Sequence, residues 1–183
     1  MEEEKKTSKP RRSEAFQDLS TLAIVLSVLI LIFVFVARIV IVSGASMEDT
    51  LHNGNAMLVW SLGYEPKQGD IVVLTQTTYQ DDSIVKRVIA TGGQTVDIDY
   101  DTGTVYVDGT ALKEDYIKER MEVPHYGEGL NHITVPEGCI FVMGDNRNNS
   151  ADSRYPAIGI VDERSVIGHV LLVLFPFSAF GTR

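Results

Sequence analysis

Thr21–Val42 reads TLAIVLSVLILIFVFVARIVIV, and Ser43–Leu51, SGASMEDTL, follows it directly. The first stretch carries a single charge, Arg38. As a helix rising about 1.5 Å per residue it spans about 33 Å, close to the hydrocarbon thickness of a bilayer. It is apolar on all sides, unlike a helix lying on a soluble core. A cleavable secretory signal is the rival reading, because the small residues S-G-A precede Ser46. The apolar core of such a signal runs about 7–15 residues, shorter than this one. The sequence therefore predicts an uncleaved transmembrane anchor over residues 21–42. Lys5, Lys6, Lys9, Arg11 and Arg12 precede it, and basic residues set an inside N-terminus. Residues 1–20 are then a cytoplasmic tail and 43–183 an extracytoplasmic domain. Arg38 would snorkel from the outer end of the span.

From residue 39 onward there are ten basic and twenty acidic residues. A nucleic-acid binder shows the opposite sign, and an acidic domain is repelled by anionic lipid, so the apolar run must hold it at a membrane. Cys139 is the single cysteine and no internal disulfide can form; in E-G-C-I-F it reads as a packed strand residue.

Past the anchor the signals are those of strands. Ala56–Leu62, Asp70–Leu74, Ile84–Ala90, Gln94–Asp99, Val105–Val107, Cys139–Met143 and Ser165–Phe175 are short, rich in β-branched residues and separated by turn clusters. Asp108-Gly109 reads as a type I′ turn. Residues 111–132 are the least patterned and read as a surface excursion with one helical turn near Asp115–Arg120. The prediction is a mainly β chain: one N-terminal transmembrane helix, then a domain of packed antiparallel sheets or a partly closed barrel.

Three stretches could carry chemistry. Ser46 lies just past the anchor in a turn of small residues, as a loop residue or as a nucleophile. Lys86, in S-I-V-K-R-V-I-A, alternates with Ile84 and Val88. It is either an exposed edge residue or, if buried, an amine whose lowered pKa lets it take a proton from a hydroxyl near neutral pH. Gly144–Arg154, GDNRNNSADSR, follows an apolar strand and is either a solvated turn or a compact loop whose charges pair internally. A Ser-His-Asp triad stays open, since its order varies between folds, but no histidine stands in a context that recommends it. The four histidines are apart and there is no cysteine pair, so no metal or other cofactor is implied.

Together these stretches resemble the bacterial type I signal peptidases, a serine–lysine endopeptidase family, in a Gram-positive-like form. Ser46-Met47 with Thr50-Leu51 is similar to its S-M-x-P-T-L box, Gly69–Val72 to G-D-[IV]-V, Lys86–Ile89 to K-R-V-[IV], and Gly144–Arg154 to G-D-N-R-x-x-S-x-D-S-R. The resemblance implies Ser46 as nucleophile, Lys86 as general base and Ser150 as the group that hydrogen-bonds and orients the lysine amine. It implies Asp145, Arg147, Asp152 and Arg154 as braces of their loop, and the Ser46 N–H as an oxyanion donor. The substrate would be the signal peptide of a preprotein, with small side chains at the first and third positions before the cut. It would add as a strand between Ile41, Val42 and Gly44 on one side and Asp82, Ser83, Ile84 and Val85 on the other. Two positions depart from the pattern: Asp49 replaces the family proline, and Gly44 stands where some members carry a serine that completes the oxyanion hole. A self-cleaving repressor uses similar chemistry but carries a DNA-binding region in place of the span. The reading from a different class is a non-catalytic, membrane-anchored β domain for binding or scaffolding.

Overall fold

The computed structural model describes residues 11–75, 83–122 and 131–181, and it divides after Val36 into a helical unit and a β-rich unit. The first is α1, Arg11–Phe35. Its Glu14–Phe35 portion is long and apolar enough to cross a membrane, and every side chain in that portion is exposed.

The helix stops short of the expected 21–42 boundary. Ala37–Ile41 is instead the first strand, β1, paired antiparallel with β2 (Ala56–Trp60) from Ala37 opposite Trp60 to Ile41 opposite Ala56. Neither hydropathy nor side-chain branching separates these segments. What sets ARIVI apart is a matching partner, AMLVW, downstream, against which its three consecutive β-branched residues, Ile39 to Ile41, lie extended. Arg38 accordingly sits exposed on a strand, not at a helix end.

Among the described residues, nine further strands follow. They are β3 (Ile71–Leu74), β4 (Ile84–Thr91), β5 (Thr95–Asp99), β6 (Thr104–Val107), β7 (Thr110–Ala111), β8 (His132–Thr134), β9 (Cys139–Met143), β10 (Val161–Asp162) and β11 (Val166–Phe175). The larger sheet, an open half barrel, has the order β1-β2-β11-β3-β4-β9-β10, and the smaller one β7-β6-β5-β8. All pairings are antiparallel. The mainly β prediction holds, and the Asp108-Gly109 turn has the two positive φ angles, 51° and 75°, that type I′ requires. The helical turn expected near Asp115–Arg120 does not form; that stretch runs as turns and bends.

Among the described residues, three apolar clusters hold these sheets. Met57, Val59, Ile71, Val73, Val170 and Val173 pack beneath β1, β2 and β11. Ile89, Val96, Ile98, Val105, Phe141 and Met143 join the two sheets. Val72, Leu74, Ile84, Val88, Ile140 and Val142 fill the third. β4 thus contributes to separate clusters through Ile84 and Val88 on one hand and Ile89 and Ala90 on the other. A strand buried on both faces is a rigid mount for a side chain that must not move. Cys139 opens β9 half-buried at the edge of the second cluster.

Phe141, fully buried between the sheets, sets the strength of that junction. Phe141→Ala is expected to cost about 3–5 kcal/mol in urea unfolding of the full chain in micelles; a loss under about 1 kcal/mol would show that the sheets are held by something else.

Candidate functional site

Ser46 is presented by a turn that the core grips from below. Met47 and Leu51 are buried in the cluster beneath β1 and β2, and the Leu51 N–H donates to the Met47 carbonyl at 2.8 Å. Gly44 adopts φ +98°, a left-handed conformation natural only to glycine, and its N–H donates to Asn53 Oδ1 at 3.1 Å. From the other side Asn146 clamps the turn: its N–H donates to the Ser46 carbonyl and its Nδ2 to the Ala45 carbonyl, each at 3.0 Å. The Ser46 N–H has no acceptor among the described residues.

Lys86 comes from β4, where it lies opposite Val72 of β3. Its Nζ donates to Ser46 Oγ at 2.8 Å and to the Val85 carbonyl at 3.0 Å. The residue is 3% exposed. Burial pulls its pKa from 10.5 down to about 8; Asp152 and Asp145 work against that shift and Arg154 reinforces it. Of the two readings of this lysine, exposed edge or dry amine, the structure has the second.

Gly144–Arg154 is a compact loop bound by its own side chains. Asp145 accepts from Arg87 Nε and Nη2 at 2.8 and 2.7 Å and from the Thr50 hydroxyl. Arg147, wholly buried, donates to the Gly144 carbonyl and pairs with Glu114. Asp152 accepts from the Gly144 N–H at 2.9 Å and from Arg154, which also donates to the Arg147 carbonyl. Burial alone would raise the Asp152 carboxyl, but Arg154 and the Gly144 N–H hold it below the usual carboxylate range. The second box has its own physical reason. Gly69 turns at φ +94° and its carbonyl accepts from Arg87 Nη1 at 2.7 Å, while Asp70 accepts from Tyr64 and from the Lys67 N–H.

Two expectations need correction. Ser150 is buried over Gly144, but its hydroxyl makes no hydrogen bond to Lys86; the amine's second acceptor is the Val85 carbonyl. Val42 is buried, and its N–H and carbonyl are spent on Asn55 (2.8 Å) and Gly54 (2.9 Å). With the Gly44 N–H also engaged, the alternation of strand hydrogen bonding leaves Ile41, of these three, facing the open edge. On the opposite flank, Ile84, Val85 and Lys86 pair with β3 but lie beyond the end of β9, whose last residue, Met143, pairs with Arg87. Ile84 is buried, Val85 half-buried and Ser83 exposed; Asp82 lies outside the described residues. The sequence assigned no role to Arg87, Glu114, Tyr116 or Asn146. Arg87 and Asn146 stand inside the Lys86–Ile89 and Gly144–Arg154 boxes and so left a signal; Glu114 and Tyr116 left none.

A hydroxyl beside a dry amine, on a rigid β scaffold, is the arrangement a serine–lysine hydrolase requires. Residues 15–175 match the family described as signal peptidase, peptidase S26. The chain is 38% identical over 175 residues to a probable signal peptidase I-1 of Synechocystis sp., covering 90% of this chain and 85% of that protein. It is 38% identical over 186 residues to a signal peptidase I of Bacillus licheniformis, covering 97% of each. A crystal structure of a signal peptidase I from Enterococcus faecalis V583 aligns with 58% of this chain and 97% of its own, at 31% identity and a TM-score of 0.45. On the family match and the two sequence relatives, the chain belongs to the signal peptidase family S26 and is a peptidase.

A Cβ on Gly144 would overlap Ser150 Oγ and the Ser46 carbonyl oxygen. Gly144→Ala therefore pushes the Ser46 turn directly. Peptidase activity is expected to fall about 100-fold, the scale of a misplacement near 1 Å, with the chain still folded by circular dichroism. Unchanged activity would mean that the turn tolerates displacement.

Proposed function

We propose that this chain is a membrane-anchored serine endopeptidase that removes signal peptides from secreted preproteins, with Ser46 as nucleophile and Lys86 as general base. The observation that carries the reading is the 2.8 Å separation of Lys86 Nζ and Ser46 Oγ with the amine almost wholly buried. The names of the relatives supply the substrate class. A non-catalytic binding domain has no use for a desolvated lysine placed on a serine hydroxyl.

In this reading neutral Lys86 accepts the Ser46 proton as Oγ attacks the scissile carbonyl. The unengaged Ser46 N–H donates to the developing oxyanion. The ammonium so formed protonates the leaving amine, and Lys86 then takes a proton from the water that hydrolyses the acyl-enzyme. The peptide adds as a strand between the open edge at Ile41 and the segment Ser83–Val85, presenting small side chains at the first and third positions before the cut.

α1 is the anchor. Its Glu14–Phe35 portion has 22 residues, about 33 Å as a helix, and the basic residues before it favour an inside N-terminus with the β-rich unit outside. An apolar sheet face supports contact with lipid. Ile39 and Ile41 lie across from Leu58 and Ala56, and Phe175 beside Ala56, on the face opposite the core. Phe177 is 83% exposed, so the C-terminal phenylalanines do not close the core.

Processing of a signal-bearing preprotein tests the assignment: Ser46→Ala and Lys86→Ala are each expected to abolish it, and wild-type-like conversion by either would overturn the proposal. With the amine near 8, about a tenth of it is neutral at pH 7. kcat/KM should therefore rise about tenfold per pH unit up to pH 7 and level off above about 9. A flat profile between pH 6 and 9 would remove Lys86 as the base.

A further inference from the structure

Residues 112–122 carry none of the family boxes and form neither helix nor strand, yet they touch the site at almost every second residue. Glu114 pairs with Arg147. The Lys118 N–H donates to the Asp145 carbonyl at 3.1 Å, and its ammonium meets Glu48 at 2.8 Å. Asn148 binds the Arg120 carbonyl and the Glu122 N–H. At the centre lies Tyr116. Its ring is 4.0 Å from the Arg87 guanidinium and 6.0 Å from that of Arg147. Its carbonyl is a second, longer acceptor for the Thr50 hydroxyl at 3.4 Å, and its own hydroxyl donates to Glu114 at 3.3 Å. Burial first, then Glu114, pushes the phenol up to about 12, so the ring stays neutral at working pH.

We propose that Tyr116 is a positioning residue for the Ser46–Lys86 pair. Its ring covers the Arg87–Asp145 ion pair, and through Asp145, which also accepts from Thr50, it keeps the serine turn and the lysine strand in register. The inference rests on the catalytic reading of that pair given above. Arg87 is the next residue after Lys86 on β4, Thr50 is four residues on from Ser46, and Asp145 joins the two. Tyr116 touches both ends of this three-member chain. Among the described residues, no hydrogen bond joins it to Ser46 Oγ or Lys86 Nζ. Other links in the strap are weaker candidates. Glu48–Lys118 is open to solvent and screened, whereas Arg87–Asp145 is buried on both sides, where a covering aromatic face acts unscreened.

The test uses the full chain in detergent micelles with a signal-bearing preprotein, well below each variant's melting temperature. Tyr116→Phe keeps the ring and should stay within about twofold of wild type. Tyr116→Leu should lose about tenfold in kcat with KM within about twofold, as expected when positioning, not binding, is lost. Its alkaline-rising limb should also move to higher pH. A loosened Arg87–Asp145 pair leaves more of the Asp145 charge facing Lys86, alongside Asp152 and opposed by Arg154. Should Tyr116→Leu not accumulate, Tyr116→Met serves as the milder apolar variant. Wild-type kcat in the apolar variant, an equal loss in Tyr116→Phe, or a loss with an unmoved limb overturns the positioning role. Ser46→Ala in the same assay separates the two claims. An inert Ser46→Ala beside a normal Tyr116→Leu sinks only this inference, and an active Ser46→Ala sinks the reading beneath it.

Discussion

The carboxylate of Asp145, with no exposed surface, is the tie on which the site depends. Its side chain accepts from Arg87 of β4 and from Thr50 of the serine turn, and its carbonyl from the N–H groups of Lys118 and Arg147. Four segments far apart in sequence therefore meet at one residue. A buried ion pair of this kind adds little net stability, because desolvation offsets most of the attraction. Removing one partner is different, since it strands a charge in a dry place and costs about 3–5 kcal/mol. The pair thus acts as a specification: the segments fit together in one arrangement or not at all.

Around that tie, apolar packing and polar clamping divide the work. Met47 and Leu51 press the serine turn into the core, and Asn146 pins its carbonyls from above. β4 cannot tilt because both of its faces are filled. The hydroxyl and the amine belong to different segments, and the distance between them is the sum of these constraints.

Much of this was legible in the sequence, and the boundary of what was not is physical. Strands announced themselves through β-branched runs, and the Asp108-Gly109 turn through residues that accept positive φ. The polar loop was readable because eleven small, amide or charged residues between apolar strands must satisfy one another. β1 stayed hidden inside the apolar run, since hydropathy cannot distinguish a lipid-facing helix from a β-branched edge strand. Residues 112–122 looked like a surface excursion because their partners, Arg87, Asp145, Arg147 and Asn148, lie far away in sequence and no periodicity encodes such contacts. Ser150 shows a further limit. A motif position predicts that a residue belongs to the site but not which neighbour its hydroxyl will find.

The dryness of Lys86 reaches beyond reactivity. A folded value of about 8 against an ordinary 10.5 means that, between those limits, the native chain binds fewer protons than the unfolded one. Resistance to unfolding therefore climbs across that alkaline window, and the whole burden, on the order of 3 kcal/mol, is carried below it. At neutrality the protein lives with a permanent internal handicap. An apolar side chain of similar bulk would carry no such penalty, so the buried amine is a cost to stability that only a task outside stability could justify.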